Sequence, residues 1–154
     1  MEGLGVKGDA HNGVTVQHRS RMNIRPAPAN LRQVHLIHDE LLDELREAGH
    51  SVAPQQLGEN VTTRNVDLLK LPTGTLLHLG EQAIVEVTGL RNPCPQIEKF
   101  QAGLQDKLVF RTAEGKLVRK CGVTGIVKTG GLVETGATIK VHLPQEPHQP
   151  LKVV

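Results

Sequence analysis

In AIVEVTGLRNPCPQIEKF, residues 83–100, one segment passes from strand to loop to helix. Ala83, Val85 and Val87 alternate with Glu86 and Thr88, the period of a strand with one buried face. Asn92-Pro93 ends it near Arg91, because proline has no N–H to give to a sheet ladder. Pro95 suits the first position of a helix, where its missing N–H would be unpaired in any case, so Cys94 falls at the N-cap. A thiolate there would face free N–H groups and the positive end of the helix, with Arg91 three residues away. A small buried hydrophobe, the fate of most free cysteines, fits the position equally well.

Outward from this segment the same alternation recurs. TLLHLG (75–80) reads as a strand forming a hairpin with 83–90. GVTGIVKTGG and GATIKVHL, within 122–143, read as two more strands joined through turn signals at Gly130-Gly131 and Thr135-Gly136. Upstream, LRQVHLI (31–37) is strand-like, and 38–50 is a helix with Leu41, Leu42, Leu45 and Ala48 on one face, Asp39 as cap and Gly49 as stop. Residues 95–108 form a helix weakened by Gly103, and Lys116 closes an AEGK turn. Residues 1–30 read as loop or extended chain, 57–65 as a polar loop, and 144–154, rich in proline, as an extended surface tail. The fold class is therefore mostly β with peripheral helices, α+β, in a single domain over 1–154 with its core in about 3–143.

Composition agrees. A chain of 154 residues can bury one core, and without Trp or Tyr, and with only Phe100 and Phe110, that core is aliphatic. The 18 basic and 16 acidic residues are interspersed, so there is no basic face for nucleic acid and no aromatic set to stack on bases. No run reads as a membrane span or signal peptide, and two cysteines make no disulfide framework, which points to a soluble protein of a reducing compartment, the cytoplasm.

Three polar stretches are candidates for a site: GDAHNG (8–13) with Asp9, His11 and Asn12; LGENVTTRN (57–65) with Glu59, Asn60 and Thr63; and RNPC (91–94). Singly each reads as a turn rich in side-chain-to-backbone bonds, and together they can form a site for an anion and a heterocycle. None matches a phosphate-binding or dinucleotide fingerprint. Cys121, in VRKCGV, reads as structural. Arg19, Arg21 and Arg25 form a charge cluster that is solvated or, beside a phosphate, functional. The rival chemistries are a zinc hydrolase built on His35-x-x-His38 with His11 or Cys94, and a cysteine hydrolase with Cys94, His11 or His35 as base, and Asn60 as orienter. A pyridoxal phosphate enzyme ranks low, because Lys70, Lys116, Lys120 and Lys128 all read as solvated.

The ordered set GDAHNG, LRQVHLI, LGENVTT, VEVTGLRNPCPQIEKF and GVTGIVKTGGLVETGATIKV, from Gly3 to about Leu143, resembles the molybdenum cofactor sulfurase C-terminal (MOSC) domain family. The resemblance implies a β-barrel with peripheral helices that binds the pterin molybdenum cofactor or carries sulfur for it. It places Cys94 as metal ligand or persulfide carrier, Arg91 as its electrostatic partner, and Asn60, Thr63, Asn92, Asp9 and His11 around the cofactor. A soft thiolate suits molybdenum and sulfur transfer alike. It further implies a sulfur donor or electron-transfer protein as partner, and a reductase of N-hydroxylated compounds as one activity, with a non-catalytic sulfur carrier as the alternative. Family members usually have a further strand or two before GDAHNG, so the expectation is a barrel that is open, lacking an N-terminal strand, or a truncated chain, which forms a homodimer through the unpaired edge or is less stable than a complete relative.

Overall fold

A computed structural model describes residues 2–9, 12–14 and 29–154. His11, Arg19, Arg21 and Arg25 lie outside the described residues.

The main sheet is built from β1 (Val34–His38), β2 (Val61–Thr63), β3 (Leu76–Leu79), β4 (Ala83–Leu90), β7 (Val123–Thr129) and β8 (Ile139–His142). Its order is β2-β1-β7-β4-β3-β8, and it curls into a half-barrel. Among the described strands, β1 and β2 pair in parallel and the other neighbours in the sheet pair antiparallel. The α+β class and the open barrel are as expected. β5 (Val109–Arg111) and β6 (Leu117–Arg119) form a separate hairpin around the AEGK turn.

The sheet's two faces carry different cores. On the concave face Val34, Leu36, Leu77, Leu79, Val85, Val87, Val123 and Val127 pack together. On the convex face Ile37 meets Leu41, Leu42 and Leu45 of α1 (Asp39–Glu47), Ile97 of α2 (Pro95–Phe100), Leu104 and Leu108 of α3 (Leu104–Leu108), and Cys121. Three fully buried leucines at about 1.5–3 kcal/mol each outweigh any single cap, worth about 1 kcal/mol, so packing and not capping holds α1 in place.

Several local readings need correction. His38, not Asp39, is the N-cap of α1, and it makes no side-chain cap bond. Asp39 sits in the first turn, where its carboxylate is drawn to the Arg64 guanidinium. Gly49 does end the helix, at φ +92°, with its N–H donating to the Arg46 carbonyl. The single helix expected over 95–108 is broken in two at Gly103, which adopts φ +79°; Glu98 accepts from the Gly103 and Gln105 N–H groups across the break. Those two bonds hold the Glu98 carboxyl below its ordinary pKa.

β7 and β8 are strands but not a hairpin. β7 pairs with β1 and β4, while β8 crosses to the far side of β3. The crossing segment is held by Gly80 N–H to the Thr138 carbonyl and by close packing of Gly131 on the Ala83 backbone. The C-terminal tail is extended but pinned. Thr73 N–H donates to the Gln149 carbonyl and Leu90 N–H to that of Lys152, while Leu151 packs on the concave core. Gly89 permits this, because a Cβ there would overlap the Lys152 carbonyl oxygen and the Val154 side chain.

Candidate functional site

β4 ends at Leu90, and the chain then turns through Arg91–Cys94 into α2 over the convex face. Cys94 is the N-cap of α2, and its Sγ accepts from the Gln96 N–H at 3.4 Å. Pro95 stands at the helix start as the sequence predicts. The thiol is half-buried on the wall of a cleft of about 270 Å3.

The floor of that cleft follows from register. His35 of β1 lies opposite Thr124 of β7, and both side chains line the cleft. This resolves which way His35 faces: it is 6% exposed, on the cleft side of the sheet. Arg32, just before β1, and Arg91, just after β4, place two guanidiniums on the same wall system, completed by Asn92, Leu57, Ile97 and Phe100.

Arg91 is anchored from behind. Its Nη2 donates to the Leu57 carbonyl at 2.6 Å, and its backbone N–H donates to the Gly122 carbonyl at 3.0 Å. Its Nη1 is buried and has no hydrogen-bond partner. A guanidinium donor withheld from both water and protein is costly, and Arg91 is one of the residues that line the cleft. Asn92 is exposed, and its side-chain oxygen accepts from Arg119 at 3.4 Å.

Of the expected site residues, the structure therefore brings together Cys94, Arg91 and Asn92. The remaining described ones lie elsewhere. Asn60 acts as a tie: its Oδ1 accepts from the His35 N–H and its Nδ2 donates to Asp9, both at 2.8 Å. This amide joins the loops GDAHNG and LGENVTT. Glu59 is buried, with Oε1 accepting from the Gln55 N–H and the Thr62 hydroxyl. Thr63 faces the concave side, away from Cys94, where it lines a second and larger cavity of about 780 Å3.

The rival chemistries fare differently from the cleft. On a strand, residues three apart face opposite sides, so His35 and His38 do not converge on one ion. Among the described residues no group of three or more His, Cys, Asp or Glu could hold a metal ion. The Asn60 amide is engaged with backbone and Asp9, which removes it as an orienter of a histidine base. Lys70, Lys120 and Lys128 are ion-pair partners of Asp67, Glu44 and Glu86 and do not enter the cleft.

Cys121 is fully buried behind the cleft in the convex core, and burial pushes its thiol pKa up, with Arg91 opposing. Its structural reading stands. Arg32 and Thr124 escaped the sequence reading. Register, once β1 and β7 are known to pair, is what puts Thr124 next to His35.

A MOSC domain model matches residues 23–140. No curated protein matches the sequence. Among solved structures, the chain is similar to the YuaD protein of Bacillus subtilis, at 25% identity and TM-score 0.68 over 92% of this chain and 82% of that one. It is similar in fold to YiiM of Geobacillus stearothermophilus, at 20% identity and TM-score 0.58 over 72% of this chain and 54% of that one. YiiM of Escherichia coli gives 21% identity and TM-score 0.58 over 80% of this chain and 61% of that one, so the chain spans little more than half of either YiiM protein. Among the described residues no helix is long and apolar enough to cross a membrane.

Proposed function

The chain belongs to the MOSC domain family, and from that premise we propose that the Cys94 cleft binds the pterin molybdenum cofactor, with Cys94 as the thiolate ligand and Arg91 as the anchor of its anionic part. The observation that carries this reading is the buried, unpartnered Arg91 Nη1 in the same small cleft as a half-exposed thiol. A soft ligand beside a waiting cationic donor is the pair of groups that a metal-bearing, phosphate-bearing molecule requires. Arg32 adds a second positive charge to the cleft lining, and Leu57, Ile97 and Phe100 give an apolar side for a flat ring. Bound there, the cofactor would supply two-electron redox chemistry, such as reduction of an N-hydroxylated compound. The chain's own part is to hold it: Cys94 by its sulfur, Arg91 by a guanidinium already fixed at Leu57, and Asn92 from the rim.

Elemental analysis and mass spectrometry of protein made in a cofactor-competent host test this. Molybdenum and pterin are expected with the wild type, neither with Cys94→Ser, and at least a tenfold loss of retention with Arg91→Ala, the scale of one charged hydrogen bond. Arg91→Lys restores only part, because it lacks the planar fork. Retention unchanged in the Arg91 variants would remove that residue from the site.

A second reading has its own support in the cleft's size. At about 270 Å3 it falls below the usual range for ligand pockets of about 300–1,000 Å3, so a single sulfur atom fits more easily than a whole pterin. In that case Cys94 thiolate attacks the outer sulfur of a donor persulfide, the donor leaves as thiolate, and Cys94 keeps the persulfide. A mass increase of one sulfur on Cys94, without molybdenum, is its signature.

A further inference from the structure

The half-barrel has an open side, and the residues bordering it are arranged for a partner. β2 and β8 are the two ends of the sheet. Between them lies the cavity of about 780 Å3, floored by Val34, Leu79, Val85 and Val127 of the concave core. One wall is the edge strand itself, residues 60–64, and the other is the crossing segment 131–137 with Ile139 at the start of β8. Edge strands present unpaired backbone groups that seek another chain.

Alternation makes the point sharper. In β8, Ile139 and Val141 stand opposite Leu79 and Leu77, so they share the inward face of the barrel. Leu79 and Leu77 are 2% and 0% exposed, yet Val141 is 40% exposed and Leu143, next in the alternation, 57%. On the same flank Leu132 is 80% exposed and Val133 41%. Leu132 and Val133 line the trough, and Val141 and Leu143 continue the inward face of β8 beyond Ile139, so exposed large hydrophobic side chains collect on this flank, where scattered single ones would need no explanation. Lys140 and His142, which could blunt this edge, alternate to the outer face.

Charge identifies the occupant. Lys7 and Glu134 both line the mouth of the trough, carry opposite signs, and have no ion-pair partner among the described residues. The patch therefore holds a groove, an apolar ridge and one free charge of each sign. A surface of that composition is complementary to itself, as the isologous contact of a twofold dimer requires. We propose that the open side of the half-barrel is the interface between two copies of this chain, with Leu132 and Val133 of each copy covering the trough of the other and Lys7 meeting Glu134 across the twofold axis.

Sedimentation velocity across a dilution series, with hydrogen exchange of the Val61–Thr63 amides on the same samples, tests it. The wild type is expected to be a dimer that dissociates on dilution, with the β2 amides losing protection as it does. Leu132→Asp, at an exposed position that does not threaten the fold, shifts the midpoint at least tenfold towards monomer. Lys7→Glu and Glu134→Lys each weaken the dimer, and the double exchange restores it. Phe110→Asp, on the separate β5–β6 hairpin, has no effect, and Cys94→Ser still dimerises, so this outcome is independent of the cofactor reading. A monomer at every concentration overturns the proposal. So does a dimer indifferent to Leu132→Asp, which would place the interface elsewhere, or β2 protection that ignores dilution, which would mean the trough is filled from within one chain. A monomer carrying bound mass from another molecule would do the same, since a different occupant holds the trough.

Discussion

Two polar loops meet at one hydrogen bond, from Arg91 to the Leu57 carbonyl, and they spend their polar groups differently. In the loop 57–63, Asn60 is tied to His35 and Asp9, and Glu59 to Gln55 and Thr62. Its amide and one carboxylate oxygen serve the fold. In the loop 91–94, Arg91 uses one arm to anchor itself and leaves Nη1 without a partner, while Cys94 stays half-exposed. Polar richness alone does not mark a binding site, and neither does an unpaired atom, since Glu59 Oε2 and Thr63 Oγ1 are also buried without a partner among the described residues; what distinguishes Arg91 is that it lines the cleft beside a half-exposed thiol.

The largest effect that separates the two loops belongs to Asn60. Replacing it with Leu leaves the His35 N–H beside a strand without its acceptor and removes the tie to Asp9. A buried backbone donor left unsatisfied costs about 1–3 kcal/mol, and the second lost bond brings the expected loss to about 3 kcal/mol. Denaturant unfolding measures it. If Asn60→Leu were as stable as the wild type but released the cofactor, the loop would be a binding element after all, and the contrast between the loops would disappear.

Much of this contrast was legible before the structure and part of it could not be. The turn from β4 into α2, with Pro93 closing the strand and Pro95 opening the helix, is dictated by residues adjacent in sequence, and these residues alone put Cys94 at the cap. The strand alternations of β1, β3, β4 and β7 were equally local. What local reading misses is pairing: β8 follows β7 yet pairs with β3, and the tail docks because Gly89, some sixty residues earlier, leaves room for it. The same limit explains the site. Asn60 and Arg91 are both polar residues in glycine- and proline-rich loops, and only long-range contacts decide that one is consumed by the fold and the other is not.

Cys121 extends the comparison to the two thiols, with a smaller expected effect. Burial raises its pKa, opposed by the nearby Arg91 charge, so the folded state keeps the thiol protonated where the unfolded chain has begun to lose the proton. The folded state then binds more protons than the unfolded one, and stability falls as pH rises. The contribution is intact below the unfolded thiol value of about 8.5 and is lost progressively above it, until pH passes the raised folded value. Cys121→Ala is expected to cost about 1 kcal/mol at neutral pH, as for the loss of one small buried group, and to flatten the alkaline decline measured by thermal unfolding between neutral and alkaline pH. An unchanged slope would show that Cys121 is not the group responsible.

Cys94→Ser is expected to have the smallest effect on stability and the largest disproportion between stability and function. The sulfur contributes one long bond, 3.4 Å from the Gln96 N–H, and a serine hydroxyl is a better neutral acceptor at a helix start. The residue is half-buried, so little apolar area changes, and the variant is expected within about 0.5 kcal/mol of the wild type. Alkylation by iodoacetamide under native conditions should modify Cys94 and spare Cys121, which is 0% exposed and reacts only when the chain opens. The serine variant then takes up no label in the folded state, keeps the wild-type melting temperature, and holds neither molybdenum nor persulfide, because a hydroxyl is not a soft ligand and carries no sulfur. If Cys94→Ser instead melted well below the wild type, and native alkylation were slow at both thiols, Cys94 would be a packing residue like Cys121, and the unpaired Arg91 donor beside it would need a ligand of another kind.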